Sequence, residues 1–174
     1  MTRLTEELLA DTHLMREVVE WDVSTWSAAI RFWNDYVECE SSTRVLEIGS
    51  RRGGLSLFFA LREAAAVICS DFHGPLPEAR DLHRRHGVSD RIRYLDADAT
   101  ALPLRDAAVD IVVSKSVLGG IGSHGNRRRV VRALSEIRRV LRPGGTFCFA
   151  ENLAGSRWHR WLRRRFTSWG DRWD

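Results

Sequence analysis

Apolar residues recur at two different periods along this chain. Up to about residue 40 the period is helical: Leu4, Leu8, Leu9, Leu14, Met15, Val18 and Val19 fall at three- and four-residue spacings. A second segment, 23–37, places Trp26, Ile30, Trp33 and Val37 on one stripe. Ser41, Ser42 and Thr43 break this pattern, and short apolar runs follow. Runs at 44–48, 66–70, 92–95, 109–114 and 146–150 predict five strands. Between them, 55–63, 77–86 and 127–141 predict helices, the last stopped by Pro143-Gly144-Gly145. Strands alternating with helices in this way predict an α/β fold, a parallel sheet with helices on both faces. The expected organisation is a single domain over 1–174, with N-terminal helices over 1–40, a core over 44–155 and a tail over 156–174. In the tail, Trp158, Trp161, Leu162, Phe166, Trp169 and Trp173 fall on one face of an expected helix, with six arginines among the other positions.

The first strand runs into the most informative stretch, Val45-Leu46-Glu47-Ile48-Gly49-Ser50-Arg51-Arg52-Gly53-Gly54. A parallel sheet binds its ligands at the carboxyl ends of its strands, where such a loop lies. Gly49 permits a tight turn close to a ligand, and Gly53 lets the next helix start close to the sheet. A dinucleotide requires a second glycine where its pyrophosphate approaches the backbone. Arg51 stands there instead, which favours an adenosyl ligand without phosphates, although an arginine pair can also grip a phosphate. Glu47 offers such a ligand an acceptor for an ammonium group. A glycine needed for connection geometry alone is the plain alternative.

Two more carboxylates end the next strands. Asp71 is placed to accept both hydroxyls of a ribose, with Phe72 beside it to stack on a purine. Asp98 is placed to accept from an adenine amino group while the Ala99 amide donates to a ring nitrogen. Each alone is an ordinary strand end or helix cap; three at successive strand ends on one edge point to a nucleoside.

These residues resemble the class I S-adenosylmethionine-dependent methyltransferases of small-molecule type. Val45–Gly53 resembles the first motif of that family, with Arg51 departing at its central glycine, and Asp71 matches the ribose-binding acid. The segments 97–104, 109–113 and 134–145 resemble, in order, the family's Asp-Ala-x-x-Leu-Pro segment, its fourth strand, and its last helix and turn. The resemblance covers about residues 44–155. It implies S-adenosylmethionine as cofactor, held by Glu47, Gly49, Ser50, Gly53, Asp71, Phe72, Asp98, Ala99 and Lys115, and methyl transfer by in-line displacement. It does not identify a catalytic base. Lys115, His124 and Glu151 lie on the loops after strands four and five; His124 is the catalytic candidate, and Glu151 is equally suited to capping the sheet edge. Trp21, Trp26, Phe32 and Trp33 suit an apolar acceptor pocket or ordinary packing against the sheet.

The family carries an antiparallel strand pair after the fifth strand, and this chain ends soon after its own. The fold is therefore expected to lack that pair, through truncation or with the edge covered by a second copy, a partner chain or the tail. A non-catalytic cofactor-binding module or partner subunit is the rival expectation.

Composition narrows the remaining classes. The chain has 174 residues, 44% hydrophobic and 29% charged, with a net charge of +4. The 157–174 segment alone carries six arginines against two aspartates. A nucleic-acid binder carries its charge more broadly, so an RNA methyltransferase is disfavoured. The tail also suits an anionic membrane surface, although a packed helix is the commoner use of such a pattern. Three scattered cysteines argue against a disulfide framework or a metal site, and a cytoplasmic location is expected. No apolar run is long enough for a transmembrane helix, and the acidic residues among the first twenty argue against a signal peptide.

Overall fold

Five β-branched and apolar runs form the strands β1 (Arg44–Ile48), β2 (Ala66–Asp71), β3 (Ile92–Asp96), β4 (Val109–Lys115) and β5 (Leu141–Ala150). The computed structural model describes residues 3–152 and, beyond them, Trp161 and Arg165; of His124 it describes the backbone. The tail helix expected over 156–174 lies, apart from those two positions, outside the described residues. Among the described residues the strands make one sheet in the order β3-β2-β1-β4-β5, and every pairing is parallel. The antiparallel pair is absent from these residues, as expected.

The helices are α1 (Glu6–Ala10), α2 (Thr12–Val19), α3 (Val23–Tyr36), α4 (Gly54–Leu61), α5 (Pro77–Arg85), α6 (Leu118–Ile121) and α7 (Arg127–Val140). Strand alternation distributes the core between the two faces of the sheet. Val45, Val67, Ile111 and Val113 face the side covered by α2, α3, α4 and α5. Leu46, Ile48 and Val112 face the side covered by α7. Phe58 and Phe59 of α4 are wholly buried, each worth roughly 1.5–3 kcal/mol of transfer free energy. The stripe read from the sequence, Trp26, Ile30, Trp33 and Val37, is buried throughout.

Three local features differ from expectation. The first helical segment breaks at Asp11, whose carboxylate accepts the N–H of His13 at 2.7 Å and of Leu14 at 3.3 Å and so caps a new helix. Pro143-Gly144-Gly145 lies inside β5, not before it. Leu141 pairs with Val109 and Thr146 with Ile111, so 142–145 bulge from the ladder. The segment 118–121 is a short helix, which two adjacent glycines hid from the periodicity. Arg62 is fully buried, and its guanidinium donates to the carbonyls of Trp33 and Val37, tying the end of α3 to α4. Among the described residues no helix is long and apolar enough to cross a membrane.

Candidate functional site

The strand order reverses between β1 and β4, and ligands bind at such a switch point, beyond the carboxyl ends of the strands. A cleft of about 780 Å³ opens there. Gly49, Asp71, Phe72, Asp98 and Ala99 line it, joined by Val117, Gly120, Ile121, Ser123, Gly125, Asn126 and Arg129. Five of the residues singled out in the sequence therefore share one wall. Gly49 has φ +72°, and a Cβ there would fall 2.5 Å from a Val117 methyl. Both its conformation and its close approach require glycine.

The loop is held by the acid that follows it in the next strand. Asp71 Oδ2 accepts the Arg51 N–H at 2.8 Å, and Oδ1 accepts the Phe72 N–H at 2.7 Å. Arg51 adopts φ +44°, a left-handed conformation that the family's central glycine would take without strain. Its side chain turns away from a phosphate-gripping role, pairing with Glu20 at 3.5 Å and lying over the Trp21 ring.

Asp98 is more engaged than the sequence suggested. Oδ1 accepts both the N–H and the hydroxyl of Thr100 at 2.8 Å, and Oδ2 accepts from Arg129 at 3.2 Å. These donors, the Thr100 N–H first, hold its carboxyl below the usual aspartate range. Sequence reading missed Arg129, since it follows no strand; only the start of a basic helix marks it.

Four residues expected at the site, Glu47, Ser50, Gly53 and Lys115, do not line the cleft itself. Glu47, on the same strand face as Val45, is buried, and its carboxylate accepts the Ser56 N–H at 2.8 Å and the Ser56 hydroxyl in the first turn of α4. Burial pushes its carboxyl up to about 7, against the lowering by Ser56. Ser50 is buried, its N–H bonded to the Ser70 carbonyl at 2.9 Å. Gly53 begins α4 at φ +75°, and its carbonyl lies 2.9 Å from the buried ring of His83, a contact the sequence did not reveal. Lys115, last residue of β4, is 8% exposed, and its Nζ has no hydrogen-bond partner among the described residues. That Nζ lies 2.9 Å from the Trp21 ring centroid and 5.2 Å from that of Trp26. Burial lowers its pKa to about 8, opposed by Glu20 and Glu47.

The far wall is a short helix held by one side chain. Glu151 accepts the N–H of Val117 at 2.7 Å, of Leu118 at 2.8 Å and of Gly119 at 3.2 Å. With both oxygens committed to the start of α6, it caps that helix, a role different from the sheet-edge cap the sequence suggested. His124 has its backbone in a 3-10 turn, Ser123–Gly125, between two lining residues; its side chain lies outside what the structure describes. Trp26 and Trp33 pack in the core, while Phe32 is exposed beside Tyr36, so these aromatics do not converge on a pocket. Among the described residues no group of three metal-ligating side chains comes together.

Comparison with known proteins accords with this geometry. A family model described as a methyltransferase domain matches residues 46–149, from β1 to β5. The malonyl-[acyl-carrier protein] O-methyltransferase of Geobacter sulfurreducens is 38% identical over 117 residues, 66% of this chain and 40% of that protein. A ubiquinone/menaquinone biosynthesis C-methyltransferase of Idiomarina loihiensis is 30% identical over 128 residues, 70% of this chain and 49% of that protein. The chain thus spans less than half the length of these curated relatives. The YcgJ protein of Bacillus subtilis shares the fold, with a TM-score of 0.63 at 22% identity over 79% of this chain and 58% of that one. The chain belongs to the methyltransferase-domain family, among the class I S-adenosylmethionine-dependent methyltransferases that its motifs resemble.

Proposed function

We propose that this chain binds S-adenosylmethionine in the cleft beyond β1–β4 and passes its methyl group to a small-molecule acceptor. The observation that carries this reading is the convergence of Gly49, Asp71, Phe72, Asp98 and Ala99 on one cleft. The residues fit the cofactor: Gly49 leaves the main chain open against Val117, and Lys115 supplies a buried cation without a hydrogen bond. Each Asp71 oxygen already accepts one backbone N–H and keeps a lone pair for a ribose hydroxyl. The Ala99 amide and Asp98 would meet the base edge, and Phe72, 52% exposed, would cover its face. Ser50 and Gly53 shape the loop, and Glu47 would neutralise an ammonium from beneath it.

When bound, the cofactor would supply an electrophilic methyl on a positively charged sulfur, open to in-line displacement with the bonding electrons going to the departing sulfur. The chain's own contribution is alignment and exclusion of water, and effective molarity from alignment is large. Val117 and Ile121 line an apolar wall of the cleft, and Glu151 fixes the helix that carries it. The two relatives named above are an O-methyltransferase and a C-methyltransferase; the acceptor of this chain is a small molecule, with His124 the candidate to take its proton.

A second reading rests on the sheet edge. Among the described residues β5 pairs with β4 alone, and the chain is alternatively a cofactor-binding module whose acceptor half is supplied by a partner chain or a second copy along β5. Calorimetric titration with S-adenosylmethionine and S-adenosylhomocysteine, with NAD and ATP as controls, tests the shared claim. Micromolar binding of the first pair is expected, and binding of NAD or ATP alone overturns it. Labelled methyl transfer to a panel of small acids, amines and quinols then separates enzyme from module.

A further inference from the structure

Lys115 is the chain's single lysine among 27 basic side chains. Among the described residues it is also the buried cation left without a hydrogen bond. Burying a charge is costly unless it is paired and hydrogen-bonded. The surroundings of its Nζ offer partial compensation: the Trp21 face at 2.9 Å, and the nearby carboxylates of Glu20, Glu47 and Glu151. The strand register sets Ser114 beside Ile48, so Lys115 adjoins Gly49, the first residue of the ligand loop. Arg51 flanks the same Trp21 ring and pairs with Glu20.

This cluster mixes signs. A simple anion entering it would meet Glu20 and Glu47 as well as Lys115 and Arg51. A zwitterion meets complementary charge for both of its ends. A compact ammonium such as that of Lys suits one carboxylate held as a point contact.

We propose that Lys115 binds the carboxylate at the amino-acid end of the cofactor and that Trp21 turns aside to admit it. The inference rests on the cofactor reading above. Trp21 is 36% exposed and lies between Glu20 at φ +64° and Asp22 at φ +46°. Two left-handed non-glycine residues, one on each side of Trp21, mark a strained segment, and Trp21 is the more exposed of the two rings over Nζ.

The test compares two ligands by calorimetry: S-adenosylhomocysteine, which has the amino-acid end, and methylthioadenosine, which lacks it. Lys115→Met is expected to weaken S-adenosylhomocysteine by about ten- to a hundredfold, as loss of a charged hydrogen bond does, and methylthioadenosine by less than about twofold. Lys115→Arg is expected to recover part of the loss. Equal loss for both ligands, or loss for neither, overturns the assignment while the cofactor reading stands. Unchanged S-adenosylhomocysteine binding with lost affinity for a carboxylate-bearing acceptor moves Lys115 to the acceptor side and also overturns it. Failure of the parent protein to bind either ligand overturns the cofactor reading itself. For the lid, Trp21→Ala is expected to speed association of S-adenosylhomocysteine in stopped flow, and an unchanged or slower rate overturns that part.

Discussion

The Asp71 carboxylate accepts the backbone N–H of Arg51 at 2.8 Å, so the end of β2 and the ligand loop after β1 are one mechanical unit. The same carboxylate accepts the Phe72 N–H through its other oxygen. One side chain thus fixes the loop and faces the cleft.

Asp71→Ala removes both functions and Asp71→Asn only part of them. The alanine variant is expected to lose at least about a hundredfold in S-adenosylhomocysteine affinity, because charged hydrogen bonds contribute on the order of 1.5–3 kcal/mol each. The asparagine variant keeps one acceptor oxygen and is expected to lose about tenfold. Calorimetry on both, with circular dichroism to verify folding, checks the order. Equal affinity of parent and alanine variant would remove Asp71 from the site.

The affinity for the cofactor should pass through a maximum between about pH 7 and pH 8. Burial raises the Glu47 carboxyl to about 7 and lowers the Lys115 ammonium to about 8. A ligand with an ammonium and a carboxylate binds best when Glu47 is ionised and Lys115 protonated. Affinity therefore falls as pH drops below about 7 and again as it rises above about 8. Glu20, Arg51 and Glu151 also act on Lys115, and Glu20 acts on Glu47. Binding constants for S-adenosylhomocysteine from pH 5.5 to 9.5 test this, and Lys115→Met should remove the alkaline limb alone.

The sheet was legible in the sequence because its signal is local. The run Val45-Leu46-Glu47-Ile48 alternates between two faces and ends in glycine, and the same logic marked β2, β3 and β4. Asp71, Asp98, Gly49 and Phe72 could be placed at one edge because every parallel strand ends on that edge. What escaped was contact between distant segments. The bond from the Ser56 N–H to Glu47 ties β1 to the start of α4 across nine residues, and no local pattern marks it. Arg129 over Asp98 and Glu151 beneath α6 depend on how helices pack across the sheet. The Trp21 ring over Lys115 depends on the turn before α3, whose left-handed residues are not glycines and leave no sequence mark.

Lys115 is expected to destabilise the fold that it serves. Its pKa falls from 10.5 to about 8 on burial, so below about pH 8 it is charged in both folded and unfolded chains and the full burial cost is present. Between about 8 and 10.5 the folded chain sheds the proton first, and the cost fades. Lys115→Met should therefore raise Tm at pH 7 by a few degrees, corresponding to on the order of 1–3 kcal/mol. The gain should shrink towards zero near pH 10.5. Thermal melts at pH 7 and pH 10 check the sign; a variant less stable than the parent at pH 7 would show that the Trp21 contact outweighs desolvation.

Glu151 holds the short helix that walls the cleft. Its carboxylate holds three consecutive N–H groups, those of Val117, Leu118 and Gly119, at the start of a helix only four residues long. A helix that short has little intrinsic stability, so its position over the cleft depends on this cap. Glu151→Ala is expected to cost about 1–2 kcal/mol locally and to speed amide exchange at 117–122 by about tenfold, leaving β1–β3 protected. S-adenosylhomocysteine affinity should fall in step with the exchange rate, since Val117 and Ile121 line the cleft. Glu151→Gln keeps one accepting oxygen and should lie between the two. A general base would behave differently: the glutamine variant would lose turnover as fully as alanine, with affinity and exchange unchanged. Hydrogen exchange and calorimetry on the same two variants therefore decide between cap and base.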